Sequence, residues 1–118
     1  MESFVLGNLK ISCEPSPDGL VFHWTGSSDN RELIQALEPY YAKILSSAAG
    51  KTATLDFRQL LSMNSSTVPA IIGWVKYYGE NSVPTKVLYN KVSNWQKSSF
   101  RLLGTMSAHL KLVTVEGL

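Results

Sequence analysis

The run LDFRQLLSMNSSTVPAIIGWV, residues 55 to 75, constrains the fold more than any other stretch of the chain. Leu55, Asp56 and Phe57 read as a strand. After a short loop, the polar knot Asn64, Ser65 and Ser66 stands directly before Val68, Ile71, Ile72, Val75 and Tyr78, apolar residues at helical spacing. That order places adjacent hydroxyls where a helix exposes unpaired backbone N–H groups, an arrangement suited to holding negative charge. An enzyme nucleophile, a phosphorylatable switch and an ordinary helix cap all meet this description.

The flanking sequence sets the frame. Leu9, Ile11 and Cys13 alternate with Lys10 and Ser12, and Leu20, Phe22 and Trp24 alternate with Val21, His23 and Thr25. Between them, Pro15 to Gly19 supplies turn residues, so the two runs predict a hairpin. Gly26 to Asn30 ends the second strand. A helix follows over residues 31–48, with Leu33, Ile34, Leu37, Tyr41, Ile44 and Leu45 as its apolar members. Pro39 is awkward inside it, and Gly50 supplies a stop. Residues 52–57 are the next strand, 68–78 the second helix with Pro69 near its start, 83–89 a further strand, 95–109 a third helix and 110–115 the last strand. This alternation predicts an α/β domain spanning residues 1–118, with a mixed four- to five-stranded sheet, an N-terminal hairpin and about three helices.

Composition bears on compartment and partners. The chain is 44% hydrophobic and 17% charged, ordinary for a soluble globular domain of 118 residues. No apolar window reaches the length of a membrane span, and the first residues do not resemble a secretion signal. One cysteine, Cys13, cannot form an internal disulfide, which fits a reducing cytoplasm. Residues 1–58 carry five basic and seven acidic side chains, whereas residues 59–118 carry six and two. Those later lysines and Arg101 are scattered singly with no arginine cluster or aromatic RNA-binding motif, which argues against nucleic acid as a partner.

The residues that carry chemistry are few. His23 and His109, one cysteine and dispersed carboxylates have no metal-ligand spacing, so neither a metal nor a cofactor is expected. Ser66 would need a positioned base and an oxyanion site to act as a nucleophile, and the sequence supplies no such set. Val68, Ile71, Ile72 and Val75 can serve the core, which leaves Trp74 and Tyr77 on an outer flank suited to a partner interface. Asp56 could sit at a strand end near the serines, and Asp29 could cap the first helix at the same end of the sheet.

Element order and motif together resemble the STAS domain of bacterial anti-sigma factor antagonists, over about Leu20 to Val115. The family's Asp-Ser-Ser-Gly signature finds its counterpart in Asn64, Ser65, Ser66 and Thr67. LDF at 55–57 resembles the core strand before that loop, Gly26 to Asp29 the family's Gly-Glu-Leu-Asp turn, and VLYN at 87–90 with FRLL at 100–103 the later strand and helix. Asn64 stands for the usual Asp and Thr67 for the usual Gly. Asn keeps hydrogen-bonding capacity but supplies no carboxylate charge.

The resemblance implies a noncatalytic cytoplasmic regulator that binds proteins and is switched by phosphorylation. Ser66 maps to the acceptor, with Ser65 or Thr67 as substitutes and Asp56 and Asn64 in the switch loop. It also implies a regulatory protein partner of a kinase-like or phosphatase kind, reading Ser66, Trp74, Tyr77 and Asp29. A homodimer is compatible with the sequence. The alternative is a domain that binds a small ligand or lipid in a cleft beside the Ser65–Ser66 loop.

Overall fold

A computed structural model gives the structure of the protein and describes residues 2–118. Alternating runs become strands β1 (Phe4–Leu6), β2 (Leu9–Ser16) and β3 (Gly19–Ser28), followed by helix α1 (Leu33–Ala48). Then come β4 (Thr52–Asp56), β5 (Leu60–Met63), α2 (Thr67–Glu80), β6 (Thr85–Tyr89), α3 (Asn94–Met106) and β7 (Val113–Gly117). The sheet order is β1-β2-β3-β4-β6-β7, with β5 paired to the far end of β3. The first two pairings are antiparallel, and β3, β4, β6 and β7 run parallel. The sheet is therefore mixed, with three helices, and the parallel crossovers are the helices α1, α2 and α3.

Among the described residues, seven strands replace the expected four to five. β1 is three residues long and β5 four, too short for alternation to mark them. β5 occupies what the sequence suggested was a loop. It forms because β3 outruns β4: Gly19 to His23 pair with β4, while Gly26 to Ser28 present a free edge that Leu60, Ser62 and Met63 complete. The last strand also begins later than expected, at Val113.

All three helices pack on one side of the sheet. Phe22 and Trp24 meet Trp74 of α2, with ring centroids 4.8 and 6.0 Å apart, and Tyr40 of α1 joins Phe22 at 6.3 Å. Phe100 of α3 packs on Phe57 and Tyr89, at 4.9 and 5.6 Å. The row Cys13, Phe22, Leu55, Val87 and Val115 runs across this face in register. One residue along, Ser12, His23, Asp56, Leu88 and Glu116 form the matching row on the helix-free face.

Pro39 sits within α1 without ending it. Its side of the helix is exposed, so the carbonyl that loses its N–H partner faces water. At the other end, Gly50 takes φ +74° and turns the chain into β4.

Candidate functional site

The hydroxyl loop lies between β5 and α2, at the end of the sheet where the parallel strands finish. Asn64 builds it. Its backbone N–H donates to Ser28 O at 2.9 Å, and its side-chain Oδ1 accepts from Ser66 N–H at 3.1 Å and from the Thr67 hydroxyl at 3.2 Å. Its carbonyl accepts from Thr67 N–H at 3.1 Å. One side chain thus supplies the turn, as Asn does when it bonds backbone two residues on.

Ser66, in contrast, caps nothing with its side chain. It occupies the N-cap position of α2 but takes helical dihedrals, φ −71° and ψ −19°, with no side-chain hydrogen bond to the helix. An N-cap side chain reaches the helix N–H groups from an extended conformation, which Ser66 lacks. Ser65 is exposed and Ser66 half-buried. Among the described residues, no histidine or carboxylate hydrogen-bonds either hydroxyl. No acidic side chain occupies the first turn of α2, so nothing there offsets the positive end of the helix.

Thr67 differs from its neighbours. It is fully buried, and its Oγ1 lies 2.7 Å from the Ser28 hydroxyl. A phosphate cannot be added there while the helix start is closed, so the structure removes Thr67 as a substitute acceptor. Ser28, the partner that holds it, gave no signal in the sequence beyond being one of several loop-like polar residues.

Asp56 does not belong to the loop. It pairs in register with His23, whereas Ser28, five residues further along β3, is level with Met63; at about 3.3 Å per residue the separation is roughly 17 Å. The side chain lies on the helix-free face. There Arg58 grips it through Nε at 3.0 Å, a terminal nitrogen at 2.9 Å and backbone N–H at 3.0 Å. His23 bridges outward from it, with Nδ1 3.7 Å from Asp56 and Nε2 2.8 Å from Glu14. Burial alone would raise the Asp56 carboxyl, but the Arg58 hydrogen bonds and the charges of Arg58 and His23 outweigh it and hold the pKa below the ordinary carboxylate value.

Trp74 is not on an outer flank. It is fully buried at the centre of the aromatic core, stacked on Tyr41 at 5.3 Å. The helix has apolar residues almost all round, so its apolar members alone do not fix the buried face. Its polar pole does: Pro69, Gly73, Lys76 and Glu80 share one side, and Thr67, Ile71, Trp74 and Tyr78 lie opposite, buried. Tyr77 is half-buried against Tyr41 at 5.6 Å, eleven residues and roughly 16 Å of helix away from Ser66. The structure therefore does not bring Trp74 or Tyr77 to the loop.

Asp29 follows Ser28 directly and so does stand at this end of the sheet, exposed and bonded to Asn8 Nδ2 at 3.4 Å. It does not cap α1. Asn30 Oδ1 accepts the Glu32 N–H at 2.8 Å instead.

Beside Ser65 runs a shallow groove of about 370 Å³ between the start of α2 and α3. Met63, Val68, Pro69, Leu102 and Met106 give it an apolar lining. Leu102 is 55% exposed and Met106 42%. The α3 face is set by Gln96, Phe100 and Leu103, which turn inward. Gln96 is itself a structural tie missed in the sequence: its amide donates to Phe57 O at 2.7 Å and Leu60 O at 3.1 Å, and its oxygen accepts from Asn90 N–H at 2.8 Å.

Among the described residues, no group of three or more His, Cys, Asp or Glu could hold a metal ion. No helix there is long and apolar enough to cross a membrane.

Solved structures share this architecture. The Bacillus cell fate determinant SpoIIAA in its phosphorylated form matches with a TM-score of 0.60 at 18% identity, covering 90% of each chain. The anti-sigma factor antagonist SpoIIAA in its unphosphorylated form matches with a TM-score of 0.58 at 19% identity, over 78% of this chain and 82% of that one. An uncharacterised protein from Shewanella loihica with a SpoIIAA-like fold matches with a TM-score of 0.57 at 16% identity, over 100% and 91%. These likenesses establish a SpoIIAA-like fold. No family model matches the sequence, and no curated protein matches it.

Proposed function

We propose that the protein is a noncatalytic regulatory module that binds another protein through the Asn64–Ser66 loop, the start of α2 and the apolar groove beside it, and that phosphorylation of Ser66 switches this binding. The observation that carries the reading is the Ser66 hydroxyl at the N-terminal end of α2. It is held on a turn that Asn64 fixes and is left without a hydrogen-bonding role of its own. A phosphate there would place nearly two negative charges at the positive end of a helix, which the fold tolerates. The same charges would stand next to Met63, Val68, Leu102 and Met106, where they oppose burial of an apolar partner surface.

The shared fold supports the choice of a regulator over an enzyme, since one of the similar structures is an anti-sigma factor antagonist and another a phosphorylated form of the same protein. A kinase-like or phosphatase partner and a cytoplasmic site of action belong to this reading. Ser65, more exposed than Ser66, is the second hydroxyl a kinase could reach.

Mass spectrometry of the protein recovered from its native cells, with partner pulldown, tests the proposal. Phosphate on Ser66, and a partner retained by Ser66→Ala but lost with Ser66→Asp, is the expected result. Partner binding unchanged in both variants, with no phosphate on Ser65 or Ser66, would sink it.

A further inference from the structure

The opposite end of α2 carries a second feature. A groove of about 760 Å³ lies between the last turn of α2 and the chain joining α3 to β7, lined by Lys76, His109 and Lys111 together with Glu80, Leu110 and Leu112. It lies about 21 Å from Ser66, the length of the helix. We infer that this groove binds a small anion carrying an apolar group, of the alkyl or aryl phosphate monoester class.

Three features converge there. The first is charge. Two lysines and a histidine line the groove against one carboxylate, and among the described residues none of the three side chains has a carboxylate within 4.0 Å. Glu80 opposes an anion but leaves the two lysines one positive charge in excess. The second is the state of the helix end. The negative end of a helix would normally repel an anion. Here, however, the carbonyls of Tyr77, Tyr78 and Gly79 already accept from Asn81, Val83 and Ser82 N–H groups, and Asn81 Nδ2 adds a bond to Tyr77 O at 2.8 Å.

The third is backbone strain. Ser82, at φ 62°, is the left-handed residue that closes α2, whereas Leu112, at φ 63°, lines the groove with no helix end to account for it. A leucine in the left-handed region is costly, and such residues gather at ligand sites. Leu112 is also 49% exposed, an apolar side chain presented beside the cations. The wall itself depends on Gly79, where a Cβ would stand 2.5 Å from Lys111 O. Cations, an exposed apolar side chain and a braced wall suit a ligand with both an anionic and an apolar part.

Titration of the isotope-labelled full-length chain with phenyl phosphate and with inorganic phosphate, followed by NMR, tests this. Saturable shifts confined to residues 76–82 and 109–112, with tighter binding of phenyl phosphate, are expected. Lys76→Gln with Lys111→Gln should weaken both by about tenfold, since each exposed charge pair contributes up to about fivefold. Leu112→Gly should weaken phenyl phosphate alone.

Shifts spread without saturation over Lys10, Lys51, Lys86 and Lys97 would overturn the site, as would unchanged binding in the double lysine variant. Equal affinity for the two probes would overturn the apolar component. Sedimentation with phosphatidylcholine vesicles containing phosphatidic acid, dependent on Lys76 and Lys111, would assign the monoester to a lipid headgroup. Saturable phenyl phosphate binding without sedimentation would assign it to a soluble ester.

Discussion

The hydroxyls of Ser28 and Thr67 lie 2.7 Å apart in a buried contact that ties the last residue of β3 to the first residue of α2. Thr67 also reaches Asn64 Oδ1 at 3.2 Å, so the candidate switch loop hangs from this contact. Thr67→Val should destabilise the protein by about 1–2 kcal/mol, because it keeps the shape but strands the Ser28 hydroxyl in a dry site. Ser28→Ala should cost about the same, and the double variant less than the sum, since neither group then lacks a partner. Urea unfolding of the three variants measures this directly. Strict additivity would mean that the pair does not interact.

Asn64 tests how the loop is held. Its Oδ1 accepts two bonds, and a carboxylate oxygen could accept the same two. Asn64→Asp should therefore leave the unfolding midpoint nearly unchanged and, with its charge near the positive end of α2, gain a few tenths of a kcal/mol. Asn64→Ala removes the acceptor and should lose about 1 kcal/mol, in line with loss of a capping side chain. Amide exchange at Ser66 reports the loop itself: it should speed up in the alanine variant only.

What could be read from sequence depended on how local the deciding contacts are. The β2–β3 hairpin alternates cleanly and sits where its pattern said. β5 could not be read, because Leu60 to Met63 become a strand only through the free edge of Gly26 to Ser28, more than thirty residues earlier. That insertion also separated Asp56 from the serine loop, since LDF ends in β4 and the loop follows β5. The place of the hydroxyls before α2 was legible from residue type alone. Which of them was free was not, because Thr67 is occupied by Ser28 from a distant strand. The buried face of α2 was present in the sequence but in its polar residues: Lys76 and Glu80 mark the outside of a helix whose apolar residues run nearly all round.

Trp74 and Tyr77, three residues apart, should behave very differently. Trp74 contacts Phe22, Trp24, Tyr40, Tyr41 and Tyr78 and has no exposed surface. Trp74→Ala should cost about 3–5 kcal/mol, a large part of the roughly 5–15 kcal/mol that stabilises a domain. Tyr77 is half-buried against Tyr41, and Tyr77→Ala should cost about 1–2 kcal/mol. Thermal unfolding followed by circular dichroism separates them. Near-equal losses would mean that the core is not centred on Trp74.

Asp56 supplies a pH dependence whose sign follows from its surroundings. Its carboxyl is 8% exposed and is held below the ordinary value because the Arg58 hydrogen bonds outweigh burial. A carboxyl depressed in the folded state binds a proton more readily when the chain unfolds. Its stabilising contribution is therefore fully present above the unfolded value near 4 and is lost as pH falls through the lower folded value. Urea midpoints of the wild type should fall as the pH drops below the unfolded value near 4. Asp56→Asn should be less stable at pH 7, with the Arg58 fork and the His23 contact weakened, and its midpoint should change less with acid. Arg58→Gln should share both effects, because it removes the partner that depresses the carboxyl. A variant curve parallel to the wild type throughout would show that Asp56 does not link the stability of the β3–β4 pairing to protons.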